Sequence, residues 1–166
     1  MGRLYFALET QTPKIEAIAA TDYYVADTYE QLLLQKASGR LGDVQLIFPN
    51  IEVRLGVAAK NGFVNLHLLV SPEDSDHLAE VQRLMAQLQF QAYEDHCSCT
   101  RSELIRLGRR ANCALVDDRA ALAHGATQFK VSFAQLREVL SGDEWARRNI
   151  IVAVEGGSND GISCVR

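Results

Sequence analysis

Apolar and polar residues alternate most clearly on either side of Asn61-Gly62. This dipeptide is typical of a two-residue turn, and it predicts a β-hairpin formed by residues 52–60 and 63–70. With these two residues as the whole loop, Val53 lies opposite Val70 and the apolar side chains share one face. We expect that face to belong to the core, with Arg54 and Asn65 on the accessible side. The residues expected to be buried are Val53, Leu55, Val57, Val64, Leu66 and Leu68.

The rest of the N-terminal pattern predicts further strands and two helices. Asp27, with Glu30 three residues later, has the spacing of a capping box and predicts a helix start. Ser71-Pro72 predicts a second start, and the helix after it carries an apolar face of Leu78, Val81, Leu84, Met85 and Leu88. Alternation indicates strands at 3–9, 14–20, 44–48 (ended by Pro49) and 90–93.

The second part of the chain is predicted to be more helical. Thr100 with Glu103, and Ser132 with Gln135, mark two helix starts. A shorter helix is predicted at 118–124, ended by Gly125. Two apolar segments at 150–155 and 162–165 predict a final hairpin.

These elements together predict an α+β protein. Its largely antiparallel sheet is covered by helices, and its more helical C-terminal part ends in a hairpin. We expect an α+β sheet-and-helix part over residues 1–96 and a helical part over 97–166. One continuous domain over 1–166 is the alternative.

Composition limits the class of protein but does not indicate an activity. The chain of 166 residues is 48% hydrophobic and 23% charged, as in ordinary soluble globular proteins. It contains neither an apolar run long enough to cross a bilayer nor the pattern of a signal peptide. We therefore expect a cytoplasmic protein with free thiols and no membrane partner.

The segment YEDHCSCTRSE raises the question of a metal site. His96, Cys97 and Cys99 are close in sequence, and Cys113 follows later. Zinc sites usually combine two ligand pairs, and only one incomplete pair is visible here. We therefore interpret the segment as a solvated loop with a buried cysteine, and we predict no metal and no cofactor.

Charged residues suggest two candidate binding surfaces. Residues 1–96 carry a net charge of −6 and residues 97–166 carry +2, within a total of −4. An acidic stripe of Glu73, Asp76 and Glu80 is predicted on the helix after Ser71, and a basic stripe at helical spacing consists of Arg106, Arg109 and Arg110. The negative total argues against nucleic acid as the partner of the basic stripe.

No catalytic motif is present, so no catalytic residue is assigned. We expect a non-catalytic protein-binding module, such as an immunity-type inhibitor that acts on a basic partner like a toxin. An enzyme whose site is assembled in space is one alternative. A binding module stabilised by zinc at Cys97 and Cys99 is another. The sequence does not indicate an oligomeric state.

Overall fold

Helices and strands alternate through the first half of the chain, and helices predominate in the second half. The structure is a computed structural model that describes residues 2–59 and 62–154, and side chains within 5–58 and 62–154. The elements within these residues are α1 (Gly2–Glu9), β1 (Ala17–Tyr23), α2 (Asp27–Ala37), β2 (Leu46–Ala59), β3 (Gly62–Val70), α3 (His77–Ala86), β4 (Gln89–Ala92), β5 (Asp95–Ser98), α4 (Arg101–Ala111), α5 (Asp118–Gln128), α6 (Phe133–Gly142), α7 (Glu144–Asn149) and β6 (Ile150–Val154).

The main sheet has the strand order β1-β2-β3-β6. β1 and β2 are parallel and are joined through α2, whereas β2–β3 and β3–β6 are antiparallel. β4 and β5 form a separate antiparallel pair. The predicted α+β class with a largely antiparallel sheet is therefore confirmed. The first strand of the predicted terminal hairpin is β6, and the second, at 162–165, lies outside the described residues.

The hairpin around Asn61-Gly62 forms, but with a different register. Val53 lies opposite Leu66, not Val70, and the pairing shifts between Arg54 and Ala58. The observed partner of Val53 is four residues from the predicted partner. Because four is an even number, the same side chains still face the core. Val57 lies beyond the irregularity and is 42% exposed, which makes its predicted burial wrong. The other five predicted core residues are buried, as expected: Val53, Leu55, Val64, Leu66 and Leu68.

Two strand predictions near the N-terminus need correction. The segment predicted as a strand at 3–9 is the helix α1, because Tyr5 and Leu8, three residues apart, both pack on the cluster around Tyr29. The strand predicted to end at Pro49 instead continues as β2. Pro49 lies one residue before the β3 pairing begins at Asn50, a position where a missing N–H is tolerated.

Two helix starts also differ from the prediction. Asp27 is the first residue of α2 rather than its cap. Asp22 takes the capping role, because its carboxylate accepts hydrogen bonds from the backbone N and the Oγ1 of Thr28 at 2.6 Å each. α3 begins at His77, six residues after Ser71. Of the predicted apolar face, Val81, Leu84 and Met85 are buried on α3, and Leu78 is half-buried. Leu88 is buried too, but it lies after the helix ends at Ala86. The predicted caps Thr100 and Ser132 are confirmed.

Helix α5 runs through Gly125 to Gln128 because this glycine is a packing contact and not a helix end. A Cβ on Gly125 would lie 1.8 Å from the Leu104 carbonyl oxygen, and one on Gly108 would lie 1.9 Å from that of Ala121. The two glycines therefore allow α4 and α5 to cross backbone against backbone.

The core lies between one face of the main sheet and the helices. Ile51 and Leu68 of the sheet pack in one cluster with Leu84 of α3, Leu104 of α4 and Phe129. Residues from both predicted parts of the chain contribute to this cluster, and β6 lies beside β3. The boundary predicted near residue 96 stays a prediction.

Candidate functional site

The second face of the main sheet is the candidate functional site. Side chains alternate across a strand, so the residues between the core positions of β1, β2, β3 and β6 share this face. Phe48, Leu69 and Ile151 of this face belong to neither hydrophobic cluster of the described residues, and Ile151 is 69% exposed. We call it the open face and define it by Ala19, Thr21, Tyr23, Phe48, Asn50, Glu52, Arg54, Asn65, His67, Leu69, Ile151 and Ala153.

The strand register arranges the open face in rows that cross the sheet. One row is Thr21, Asn50, Leu69 and Ile151, with each residue opposite the next. The adjacent row is Tyr23, Glu52, His67 and Ala153. In these two rows the face is thus polar over β1 and β2, and its apolar residues are Leu69, Ile151 and Ala153.

One group of hydrogen bonds is centred on Asn50. Its Nδ2 donates to Thr21 Oγ1 at 2.8 Å, and its side-chain amide lies 3.1 Å from Nδ1 of His67, with the donor set by the imidazole tautomer. Asn50 is only 7% exposed although it lies on the open face. These bonds link β1, β2 and β3 through side chains in addition to the backbone ladder.

A second group is centred on Asn65. Its Nδ2 donates to Glu52 Oε1 at 2.6 Å and to the Tyr23 hydroxyl at 3.2 Å. The guanidinium of Arg54 lies 5.3 Å from the centroid of the Tyr23 ring and donates to the Thr127 carbonyl at 2.9 Å. Partial burial is the main cause that raises the pKa of Tyr23, and a hydrogen bond with Glu52 is the second. The phenol therefore stays protonated near neutral pH. The charges of Glu52 and Arg54 offset each other.

This arrangement is suited to binding more than to bond chemistry. Its polar side chains are held in fixed positions by one another, which reduces the rotamer freedom that a partner would have to remove. The cavities found among the described residues lie elsewhere, except that one of them reaches Ala19 and Thr21 on β1, so the rest of the open face would meet a broad surface. Aromatic and arginine side chains, here Tyr23 and Arg54, are the types enriched at energetically important interface positions.

The predicted basic stripe lies on α4, and its three arginines are all engaged. Arg106 pairs with Asp95 and Glu103, which raises the pKa of its guanidinium. Arg110 donates to the Tyr93 carbonyl at 2.8 Å and pairs with Asp95 at 3.3 Å. These contacts fasten the β4–β5 hairpin to α4.

Arg109, the third residue of the stripe, joins two helices. It pairs with Asp118 of α5 and donates to the Val116 carbonyl at 3.0 Å. The guanidinium groups of the stripe therefore already have acidic or carbonyl partners within the chain.

The predicted acidic stripe is not a stripe on a helix. Glu73 and Asp76 precede α3, which begins at His77, so only Glu80 has the expected helical setting. Glu80 pairs with Arg83 at 2.7 Å, and Arg83 also contacts Asp143 at 2.7 Å. Whether these acids bind a partner stays a prediction.

The segment YEDHCSCTRSE is a hairpin and not a loop. Its first residues connect β4 to β5 through Tyr93 and Glu94, both with positive φ, at 54° and 61°. Such turns normally use Asn-Gly, and Tyr93-Glu94 does not resemble that signal. Glu94 and Tyr93 adopt the left-handed region because tertiary contacts, including that of Arg110, hold the turn.

The cysteines of this segment behave as small apolar residues. Cys97 and Cys99 are 2% and 3% exposed, whereas Cys113 is exposed and distant in sequence. Burial raises the pKa of both the Cys97 and Cys99 thiols, which disfavours the thiolate that zinc requires. No three His, Cys, Asp or Glu side chains in 2–59 and 62–154 are placed to share a metal ion, and His96 is solvent-exposed.

Comparisons with protein-family models, with curated proteins and with solved structures found no match to this chain. None of the helices in the described ranges is both long enough and apolar enough to cross a membrane. Function has to be inferred from the geometry of the chain itself.

Sequence reasoning found only part of the open face. Alternation alone predicts Arg54 and Asn65 on the accessible side of the hairpin. Asn50 and Tyr23 were missed, because the strands that carry them were predicted to end too early. Continuing the alternation of β2 through Pro49 reveals Asn50, and continuing that of β1 past residue 20 reveals Tyr23.

Proposed function

We propose that this chain is a non-catalytic protein-binding module and that the open face is its binding surface. The observation that carries the proposal is a set of side-chain hydrogen bonds on the sheet face opposite the core, of whose residues Tyr23 also packs against a core cluster. The residues that these bonds join are Thr21, Tyr23, Asn50, Glu52, Asn65 and His67. A face that only met water would gain little from such fixed geometry.

The chemistry of the open face indicates a folded protein surface as the partner. Interfaces between proteins combine an apolar centre with a polar rim, and Phe48, Leu69 and Ile151 supply the apolar part. Nucleic acids are bound mainly through lysine and arginine contacts to phosphates. Here Arg54 is the one guanidinium of the face and is offset by Glu52, so the surface has no excess of positive charge.

A narrower candidate is an immunity-type inhibitor in the cytoplasm that acts on a basic partner such as a toxin. It is supported by the net charge of −6 over residues 1–96. Glu73, Asp76 and Glu80 would then steer the partner, at a surface distinct from the open face. The cysteines Cys97, Cys99 and Cys113 are free thiols, which agrees with a reducing compartment.

A differential co-purification from the native host tests the proposal. The wild-type chain is compared with Leu69→Lys/Ile151→Lys, which changes the apolar part of the open face, and with Val116→Lys as the control at an exposed site elsewhere. We expect a stoichiometric partner with the wild type and with Val116→Lys, and its loss with the double variant. Retention of that partner by the double variant, or no stoichiometric partner with the wild type, would contradict the proposal.

A further inference from the structure

A second candidate site lies on the helix-covered side of the sheet, where β1 ends and α2 begins. A cavity of about 410 Å³ is enclosed there by the segment after β1, the first turn of α2, α3 and the start of α4. That volume is within the range of small-molecule sites, roughly 300–1,000 Å³. The cavity does not include any residue of the open face, so it is independent of the proposed protein interface.

The inner wall of the cavity is apolar and polarisable. It is formed by Tyr24 and Val25 from the segment after β1, by Val81 and Met85 from α3, and by Cys99. Cys99 is buried and its pKa is raised by burial, so the thiol contributes an apolar contact and not a reactive thiolate. The wall therefore suits the hydrocarbon or aromatic part of a ligand.

The mouth of the cavity carries three charged side chains. Arg101 of α4 donates to both carboxylate oxygens of Asp27, at 2.7 and 2.8 Å, so these two charges are compensated. Glu30, one turn further along α2, also lines the cavity. Its carboxylate has no hydrogen-bond or ion-pair partner within the described part of the chain, and it is solvent-exposed. The mouth thus has a formal charge of −1.

The positive end of α2 does not cancel this charge at the cavity. Asp22 lies at the end of β1 and accepts the Thr28 backbone N–H at 2.6 Å, so the helix start already has its own carboxylate. Burial has the largest influence on the Asp22 carboxyl and raises its pKa. The hydrogen bonds from Thr28 oppose this rise. Glu30 is left as the uncompensated charge next to an apolar cavity.

From this geometry we infer that the cavity binds a small organic cation, with its apolar body against Met85 and Cys99 and its ammonium group at Glu30. Three probes with the same phenyl body separate the charge of the ligand from its apolar part. They are 2-phenylethylamine, 2-phenylethanol and 3-phenylpropanoate. The chain contains two methionines, Met1 and Met85, so methyl-¹³C-methionine labelling gives one NMR signal in the cavity wall and one internal reference.

We expect the Met85 methyl signal to shift saturably with the amine, more weakly with the alcohol and least with the carboxylate. Glu30→Gln should reduce the preference of amine over alcohol by roughly fivefold, as for an exposed ion pair. Glu16→Gln, which changes an exposed carboxylate outside the cavity, should leave the preference unchanged. An unshifted Met85 signal with all three probes would overturn the site. Equal binding of carboxylate and amine, or an unchanged preference in Glu30→Gln, would overturn its assignment to a cation.

Discussion

The two faces of the main sheet are built from the same strands but are held together in different ways. Leu68 and Leu69 are neighbours on β3, yet Leu68 is 1% exposed inside the core and Leu69 lies on the open face. On the covered face the side chains are fixed by packing against α3 and α4. On the open face they are fixed by hydrogen bonds such as those of Asn50 and Asn65. The covered face therefore provides stability through packing, whereas the open face is the one that we propose for binding.

The largest expected effect comes from comparing the two adjacent leucines. Leu68→Ala should lower the free energy of unfolding by roughly 2–5 kcal/mol, because it removes a fully buried side chain. Leu69→Ala should cost under about 1 kcal/mol, because Leu69 is only half-buried and belongs to neither hydrophobic cluster of the described residues. Urea denaturation of both variants measures the difference. Similar losses would show that the open face is packed as tightly as the covered one.

A second expected effect concerns the burial of Cys99 on the covered side. Its pKa is raised in the folded state, so the folded chain keeps a proton that the unfolded chain releases above about pH 8.5. Stability should therefore be fully present below that pH and fall above it, by up to about 1.4 kcal/mol per pH unit for one thiol. Chemical denaturation between pH 7.5 and 10 measures the slope.

Two variants test whether Cys99 causes the fall in stability above about pH 8.5. Cys99→Ala should make the fall with pH shallower, whereas Cys113→Ala, which changes an exposed thiol, should leave it as in the wild type. If Cys99→Ala keeps the full slope, then Cys99 titrates normally and the covered side admits water at this point.

The hydrogen bonds of the open face should make a smaller contribution. Asn50→Ala should lower the free energy of unfolding by about 1 kcal/mol, because its bonds with Thr21 and His67 are lost in a mostly buried position. Gln31→Ala, at an exposed position on α2, should cost under about 0.5 kcal/mol. A negligible loss for Asn50→Ala would mean that the side-chain bonds do not order the face.

The smallest expected effect on stability comes from the acidic candidates. Asp76→Lys/Glu80→Lys should change the free energy of unfolding by under about 1 kcal/mol, because the Glu80–Arg83 pair is at the surface. If the acidic surface is the binding site, this variant should slow association with a basic partner, and the difference should shrink at high salt. If the open face is the site and the acids do not steer the partner, the association rate should stay as in the wild type.

The sequence predicted what alternation and capping encode. It identified the core side of β2 and β3 and the starts of α4 and α6, because these depend on residues close in the chain. It did not predict that β2 continues through Pro49 or that Tyr93 and Glu94 form a turn, because both depend on contacts with distant residues. The open face depends on the pairing of β1, β2, β3 and β6, and such register is not encoded locally.

Site-specific photocrosslinking in the native host directly tests whether the open face is the binding surface. A photoreactive amino acid is placed at position 69 on the open face, at position 76 among the acidic residues, or at position 109 on the basic helix. We expect one discrete adduct from position 69 and none from the other two. An adduct from position 76 or 109 without one from position 69 would contradict the assignment of the open face as the binding surface.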